Sequence, residues 1–486
     1  MIYKLRPYQE ECVKSISDYI NSDRHDPVLV IGPVGCGKSI LIAEAARLMG
    51  DKTLVLQPSR ELLIQNHDKI TSYGIPAAIY SASCGKKELS NMIYATLGSI
   101  KKVVGQLKEM GIRNVLIDEA HAGYSPEDGS EFMTFMNELK PRKVIGFTAT
   151  PCRLKTMSIG QVSYSQLNFI TRMRPVYFKN LIHVIQVEEM IRQGFWTPLK
   201  YETWDFNGDA LKLNSNGSEY TAESISEAVR KNGLNNLILR RLMVLKDVCR
   251  SILVFMDSVE SCNTAAEWMN AKICAGMAEV VHGGTPKRQR EAIVERFKSG
   301  GTQVVFNYSA LGTGFDHPGL DCVVFGRPTF SFSTWYQAIG RAVRIKDGKD
   351  SAMVVDCCDN SSRFGDIRGL SIENYKGYGW GMFIGDKLIT NIPMGDKVTR
   401  TDLDIKAAKK DRRRGLAQGI TASPIPGRPD HPLGSTVMTF GKYCGWMLHS
   451  IPVSYFKFIN ETFDWDNDRN KDIKEYIDFL IKNNRL

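Results

Sequence analysis

The chain has 486 residues, 43% hydrophobic and 24% charged, the balance of a globular protein with buried cores and enough length for two or three domains. No apolar run reaches the ~20 residues that a membrane-spanning helix needs, and the eleven cysteines include no C-x-x-C pair, which argues against a metal cluster and for reduced thiols. The net charge of +10 suits a polyanionic partner without demanding one.

Met1-Ile2-Tyr3-Lys4-Leu5-Arg6-Pro7 lacks the order of a secretory leader, so the expected setting is the cytoplasm, of a bacterium or of a phage's host. The apolar run Pro27–Ile31 then leads into Gly32-Pro33-Val34-Gly35-Cys36-Gly37-Lys38-Ser39 and the helix-like run Ile40–Leu48. Strand, glycine-rich loop and helix with a complete G-x-x-x-x-G-K-S pattern imply a nucleoside triphosphate site. Gly35, Cys36 and Gly37 would turn backbone N–H groups around phosphate oxygens at a helix N-terminus. Lys38 would reach the β- and γ-phosphates, and the Ser39 hydroxyl would hold Mg²⁺.

A second apolar strand, Asn114–Ile117, ends in Asp118-Glu119-Ala120-His121. A carboxylate at the end of a core strand sits beside the phosphate loop of a parallel sheet, so Asp118 would hold Mg²⁺ and Glu119 would orient the attacking water. A third strand, Lys143–Phe147, runs into Thr148-Ala149-Thr150-Pro151. Further on, Ser251–Met256 and Val304–Asn307 read as buried strands, and Arg288–Phe297 as an amphipathic helix. The alternation predicts a second α/β domain without a phosphate loop of its own. Gln337, Arg341 and Arg344 fall at i, i+4 and i+7, one face of a helix, where arginines suit charge developing on a transferred phosphoryl group.

After Ile345 the pattern loosens. Tyr375, Tyr378, Trp380 and Phe383 suggest a small β unit whose aromatics pack on a core. Lys406–Arg414 is a dense basic run, either a solvated linker or a phosphate-binding arm, and Ala422–Gly434 reads as an extended, proline-rich linker. Val437–Gly445 and Ile451–Phe456 begin a last module, expected as a hairpin and two helices around Trp446, Tyr455 and Trp465.

The phosphate loop, Asp-Glu-Ala-His, Thr-Ala-Thr and Gln-x-x-Gly-Arg-x-x-Arg, in this order, resemble the superfamily 2 helicases. The resemblance implies an α/β fold of two tandem RecA-like parallel-sheet domains, here residues 1–200 and 201–360, followed by an accessory segment and linker at 361–434 and a small C-terminal module at 435–486. It implies ATP and Mg²⁺ as cofactors, with Gly314 and Asp316 facing the nucleotide from the second domain and Arg341 and Arg344 as arginine fingers. By the same resemblance Arg6 and Gln9 would read adenine, and Thr148 and Thr150, with His121, would couple γ-phosphate state to domain movement. Arg60, Thr96, Ser99 and Thr313 would grip a nucleic-acid backbone without reading its sequence.

Leu-Arg-Pro-Tyr-Gln, Thr-Ala-Thr-Pro-Cys-Arg-Leu and Gly312–Asp316 with Pro318 are similar to the bacterial RadD family of DNA-repair helicases over roughly residues 1–360, although the cysteine-rich zinc region of that family is missing. That resemblance favours DNA over RNA as partner and a DNA helicase or branch-remodelling translocase as function. An RNA helicase, or the ATPase motor of a nuclease or restriction complex, are the alternatives. The last module resembles a short Phe-Gly-Lys-Tyr module of bacterial and phage DNA-processing proteins, which implies a docking place for DNA or a protein partner on a monomeric motor.

Overall fold

The computed structural model describes all residues except 1–2, 160–161, 216, 311–314, 316, 376–377, 395, 406–430, 441–442, 444–446, 463–464, 466–469 and 484–485. Thr313, Gly314, Asp316, the basic run Lys406–Arg414, most of the proline-rich stretch and Trp446 therefore lie outside the described residues. Two compact units are present, one of residues 1–374 and 380–398, the other of residues 375–379 and 399–486.

The larger unit is built on two large sheets. Strands β1 (Val28–Ile31), β2 (Thr53–Leu56), β3 (Ala78–Ser81), β4 (Lys86–Lys87), β5 (Met92–Ala95), β6 (Asn114–Ile117), β7 (Lys143–Thr148) and, after a hairpin, β10 (Asn180–Val184) form the first, in the order β10-β1-β7-β6-β2-β5-β3-β4. Every pairing but β3 with β4 is parallel. Its central strands are aliphatic and wholly buried, as helices on both faces of a parallel sheet require. The second sheet is entirely parallel, in the order β11-β16-β15-β12-β14-β13, from β11 (Leu199–Thr203), β12 (Ile252–Phe255), β13 (Ala278–His282), β14 (Val304–Tyr308), β15 (Cys322–Phe325) and β16 (Ala352–Asp356).

Two differences from the sequence reading concern the joints. Strands β8 (Cys152–Ile159) and β9 (Val162–Phe169) make a long antiparallel hairpin directly after Thr-Ala-Thr-Pro, where no element was expected. The unit also continues past residue 360: β17 (Leu370–Tyr375), β18 (Gly379–Ile384) and β19 (Lys387–Leu388) follow, and Ile372, Met382 and Leu388 are buried. Ile372 and Met382 join the largest core and Trp380 packs against it, so these apolar side chains serve packing.

The smaller unit has its own core of Met438, Leu448, Ile451, Phe456, Ile459, Ile473, Tyr476, Ile477 and Leu480, with Tyr455 and Trp465 packed at its edge. Its longer helices among the described residues are Val453–Thr462 and Lys471–Lys482, and where a hairpin was expected the described residues show an antiparallel bridge between Val437 and Met447.

Trp335 is fully buried beside Phe325 and Phe364. Trp335→Ala is expected to cost the second motor half about 3–5 kcal/mol of unfolding free energy, read by denaturant titration; a loss under about 1 kcal/mol would place the indole outside the core.

Candidate functional site

Loop 32–37 joins β1 to helix α2 (Lys38–Met49). Gly35 and Gly37 take φ values of +82° and +80°, left-handed backbone that glycine adopts without strain. A Cβ on Gly37 would stand 2.5 Å from Gln9 Nε2, so only glycine lets Gln9 close behind the loop. There Gln9 donates to the Cys36 carbonyl at 2.8 Å, the Tyr8 hydroxyl donates to the same oxygen at 3.1 Å, and the Arg6 backbone N–H donates to Gln9 Oε1 at 3.0 Å.

A cavity of about 360 Å³ opens in front of the loop. Gly35, Gly37, Lys38, Ser39, Asp118 and Glu119 line it from the first sheet, and Gln337 and Arg341 from the helix Phe332–Ala342 that follows β15. Arg344 lines it too, but from beyond the end of that helix, so the expectation of one helix face for all three residues is corrected for Arg344. Arg6 also lines it, its guanidinium 4.4 Å over the Phe195 ring. Cys36 and Gln9 do not reach it: the Cys36 side chain is fully buried, its N–H donates to Pro33 O, and its carbonyl is taken by Tyr8 and Gln9. As contacts for a ligand these two are corrected to supports behind the loop.

Charge is concentrated at the loop. Lys38 Nζ lies 3.2 Å from Asp118 Oδ1 and also pairs with Glu119 Oε1. Burial alone would lower the lysine pKa, but Asp118 and Glu119 outweigh it and hold Lys38 above its ordinary range. Asp118 is shifted upward by burial, with Lys38 partly offsetting the shift. Its oxygens are also fixed by the Glu119 N–H at 2.8 Å and by Asn66 Nδ2 at 2.9 Å. Asn66, on helix α3 (Arg60–Ser72), is a contributor that the motifs did not reveal. Burial lowers Arg341 to about 10 and shifts Arg344 the same way, while Arg341 Nη1 donates to Phe315 O at 2.6 Å.

His121 bridges two segments. Its Nδ1 pairs with Thr148 Oγ1 at 2.8 Å and its Nε2 with Thr150 Oγ1 at 2.9 Å. Burial, with the nearby cations Lys38 and Arg153, pushes its pKa down to about 3, so the ring is neutral with one nitrogen donating and the other accepting.

Against known families, residues 2–153 match the type III restriction enzyme res subunit family and residues 235–346 match the helicase conserved C-terminal domain. Both matches are helicase-type domains, and they support a superfamily 2 helicase. They fall in turn on the first and the second sheet of the larger unit. It is 23% identical over 378 residues to the Saccharomyces cerevisiae protein named as an ATP-dependent helicase, IRC3, covering 74% of this chain and 52% of that one. It is 24% identical over 332 residues to a 51.5 kDa protein of a Lactococcus phage, covering 68% and 65%. The chain thus spans about half to two-thirds of the length of these relatives. The fold is shared with the DNA-bound, ATP-dependent type ISP restriction-modification enzyme LlaBIII, with TM-score 0.54, 15% identity, and coverage of 86% of this helicase and 30% of that enzyme.

Of the residues expected to grip a polymer, Arg60, Thr96 and Ser99 are not among those lining the cavity. Arg60 starts α3, capped by Ser59. Thr96 and Ser99 share a 3.1 Å hydrogen bond, Thr96 also pairs with Ser81, and Ser99 accepts from the Ala82 N–H. Phe195, Gln65 and Lys69 line the cavity without having been expected; they sit on a connector and on a helix that carries no phosphate motif, where only tertiary structure reveals them.

The neutral, buried His121 makes stability pH-dependent. Its folded pKa of about 3 lies below the ordinary 6.5, so the unfolded chain binds more protons between those values. Its contribution is complete above about pH 6.5 and is lost as pH falls toward 3, by on the order of a few kcal/mol. His121→Asn should flatten the denaturant-derived stability profile over that window; an unchanged slope would mean the imidazole is not buried neutral.

Proposed function

We propose that the chain is an ATP-driven motor that moves along DNA, acting as a helicase or a branch-remodelling translocase. One observation carries the reading: Lys38, Ser39, Asp118 and Glu119 from one sheet and Gln337, Arg341 and Arg344 from the other line a single cavity. The triphosphate would lie on the N–H groups of the glycine loop, with Lys38 against its β- and γ-oxygens. Glu119 would orient the attacking water and accept its proton, while Arg341 and Arg344 would neutralise charge growing on the γ-phosphoryl group. The Ser39 hydroxyl and the Asp118 carboxylate are hard oxygen donors that suit Mg²⁺ held jointly with phosphates.

Binding that needs Lys38 on one half and Arg341 on the other favours closure, and hydrolysis releases it. Alternating closure on one strand advances the motor. His121, held by Thr148 and Thr150, lies between Glu119 and the segment leaving the sheet, and is the proposed coupling element. Backbone contacts from Arg60, Thr96, Ser99 and Thr313 would bind without sequence preference and weaken with salt. The resemblance to DNA-repair helicases favours DNA. A second reading, the motor of a restriction or nuclease complex, is favoured by the restriction-subunit family match over residues 2–153.

ATP turnover across single-stranded, duplex and forked DNA and RNA tests the assignment. Stimulation by DNA of at least about tenfold over RNA supports it, whereas stimulation by RNA alone overturns it in favour of an RNA helicase. Turnover only with a copurifying nuclease or methyltransferase selects the second reading.

Lys38→Ala and Glu119→Gln should each abolish ATP hydrolysis while thermal melting still reports a folded chain, and normal turnover in either would sink the site assignment. Removing residues 435–486 should leave unstimulated turnover largely intact, because that segment has its own core; collapse of turnover would make it part of the motor.

A further inference from the structure

Arg153 has no role in the mechanism above. It is the second residue of β8, and its guanidinium is largely buried. Among the described residues it faces no carboxylate at ion-pair distance, and the charge acting on it is that of Glu127. Instead Nε donates to the His121 carbonyl, and Nη2 donates to Tyr124 O at 2.7 Å and to Ala120 O at 3.4 Å. One side chain thus gathers three carbonyls of the turn that follows Asp118-Glu119.

That turn needs holding. Glu119 has φ +46°, in the left-handed region, which costs a residue with a Cβ about 1–2 kcal/mol and persists only when its surroundings over-determine it. The Ala120 N–H donates to Phe147 O at 2.9 Å and the Ala122 N–H to Glu119 O at 2.7 Å. Arg153 is the cation that closes the far side.

The hairpin carrying Arg153 is anchored at its other strand. Asn391 N–H donates to Leu167 O at 2.6 Å, Met394 N–H to Ser165 O at 2.8 Å, and Phe169 N–H to Asn391 Oδ1 at 3.1 Å. Ser165 Oγ donates to Gly217 O at 3.0 Å. Two residues on, Glu219 accepts from Thr329 Oγ1 at 2.7 Å and from the Phe330 N–H at 2.7 Å, immediately before the helix that holds Gln337 and Arg341. Polar contacts, linked by the paired strands of the hairpin and by the short stretch 217–219, therefore join the Glu119 turn to the arginine helix by a route separate from the nucleotide cavity.

We propose that Arg153 is a positioning residue for hydrolysis, fixing the Glu119 turn, and that hairpin β8–β9 makes this position answer to the arginine helix. The inference rests on the proposed ATP-driven motor. It predicts that Arg153 acts on turnover and not on nucleotide affinity, and that the hairpin's far end acts on polymer stimulation.

The experiment measures kcat and KM for ATP, with and without DNA, in the full chain and in Arg153→Met, Arg153→Lys and the double variant Ser165→Ala/Glu219→Gln. Arg153→Met should lower kcat about 10- to 100-fold with KM within about threefold, and Arg153→Lys should recover part of the loss. The double variant should keep its unstimulated rate within about threefold while losing at least about threefold of its stimulation. A kcat loss under about threefold, or a raised KM at unchanged kcat, overturns the role of Arg153. Full stimulation in the double variant overturns the link through the hairpin. Where Arg153→Met does not fold, Arg153→Lys decides by the same threefold criterion. A parent chain without turnover on any polymer overturns the motor reading instead.

Discussion

The site depends on a buried charge balance. Lys38 is withdrawn from water between Asp118 and Glu119, and a desolvated cation persists only where its surroundings repay the lost hydration. The carboxylates repay it, and they stay oriented because Asn66 and the Glu119 N–H hold Asp118. Arg6, Lys69, Arg341 and Arg344 also line the cavity. With Lys38 they make five cations facing two carboxylates among the described lining residues, a surplus that suits a nucleoside triphosphate with its divalent cation. Burial lowers Arg341 to about 10, so it gains most from an arriving anion.

Much of this was legible because the chemistry sits at strand ends. Val28–Ile31, Asn114–Ile117 and Lys143–Thr148 are fully buried parallel strands, and such strands appear in sequence as aliphatic runs that stop abruptly at polar residues. The helix 332–342 was legible through the spacing of Gln337 and Arg341, whereas Arg344, read as the next position on the same face, lies beyond the helix end. The missing parts depend on long-range contacts. The hairpin 152–169 mixes Lys, Thr, Ser, Gln and Asn with apolar residues and owes its place to pairing with residues 391–394. Phe195 lies on a connector, and its value comes from the guanidinium of Arg6, 189 positions earlier in the chain, stacked over its ring. Cys36 shows the converse: its place inside the motif suggested a contact, yet both its backbone groups are spent on stabilising the loop.

The two halves meet at one unusually close point. A Cβ on Gly340 would stand 2.4 Å from the Val34 side chain, so the arginine helix rests directly on that side chain of the phosphate loop. Trp196 Nε1 donates to Val34 O at 2.9 Å and the Thr197 N–H to Val343 O at 2.8 Å, so the connector between the sheets grips the loop and the end of the helix together. Lys349 extends the same arrangement by donating to Ala342 O at 2.6 Å and Arg344 O at 2.9 Å, which ties down the helix's last carbonyls.

Such contact imposes a constraint on movement. Core-like packing is bistable and does not deform continuously, so an arginine helix seated on Val34 either stays seated or separates. In the proposed motor, phosphate oxygens arriving between Lys38 and Arg341 would strengthen the seated state through charge, and loss of the γ-phosphate would remove that attraction. The Val34–Gly340 contact, the Trp196 and Thr197 hydrogen bonds and the apolar core around them would remain. Glycine at position 340 lets the helix approach the loop closely enough for Arg341 to line the same cavity as Lys38. A larger side chain there would weaken the seated state in every nucleotide condition. A larger apolar surface around it would hold the halves together after hydrolysis. In the proposed motor either change would separate ATP turnover from movement, a demand that the smallest residue of the helix meets where the helix rests on Val34.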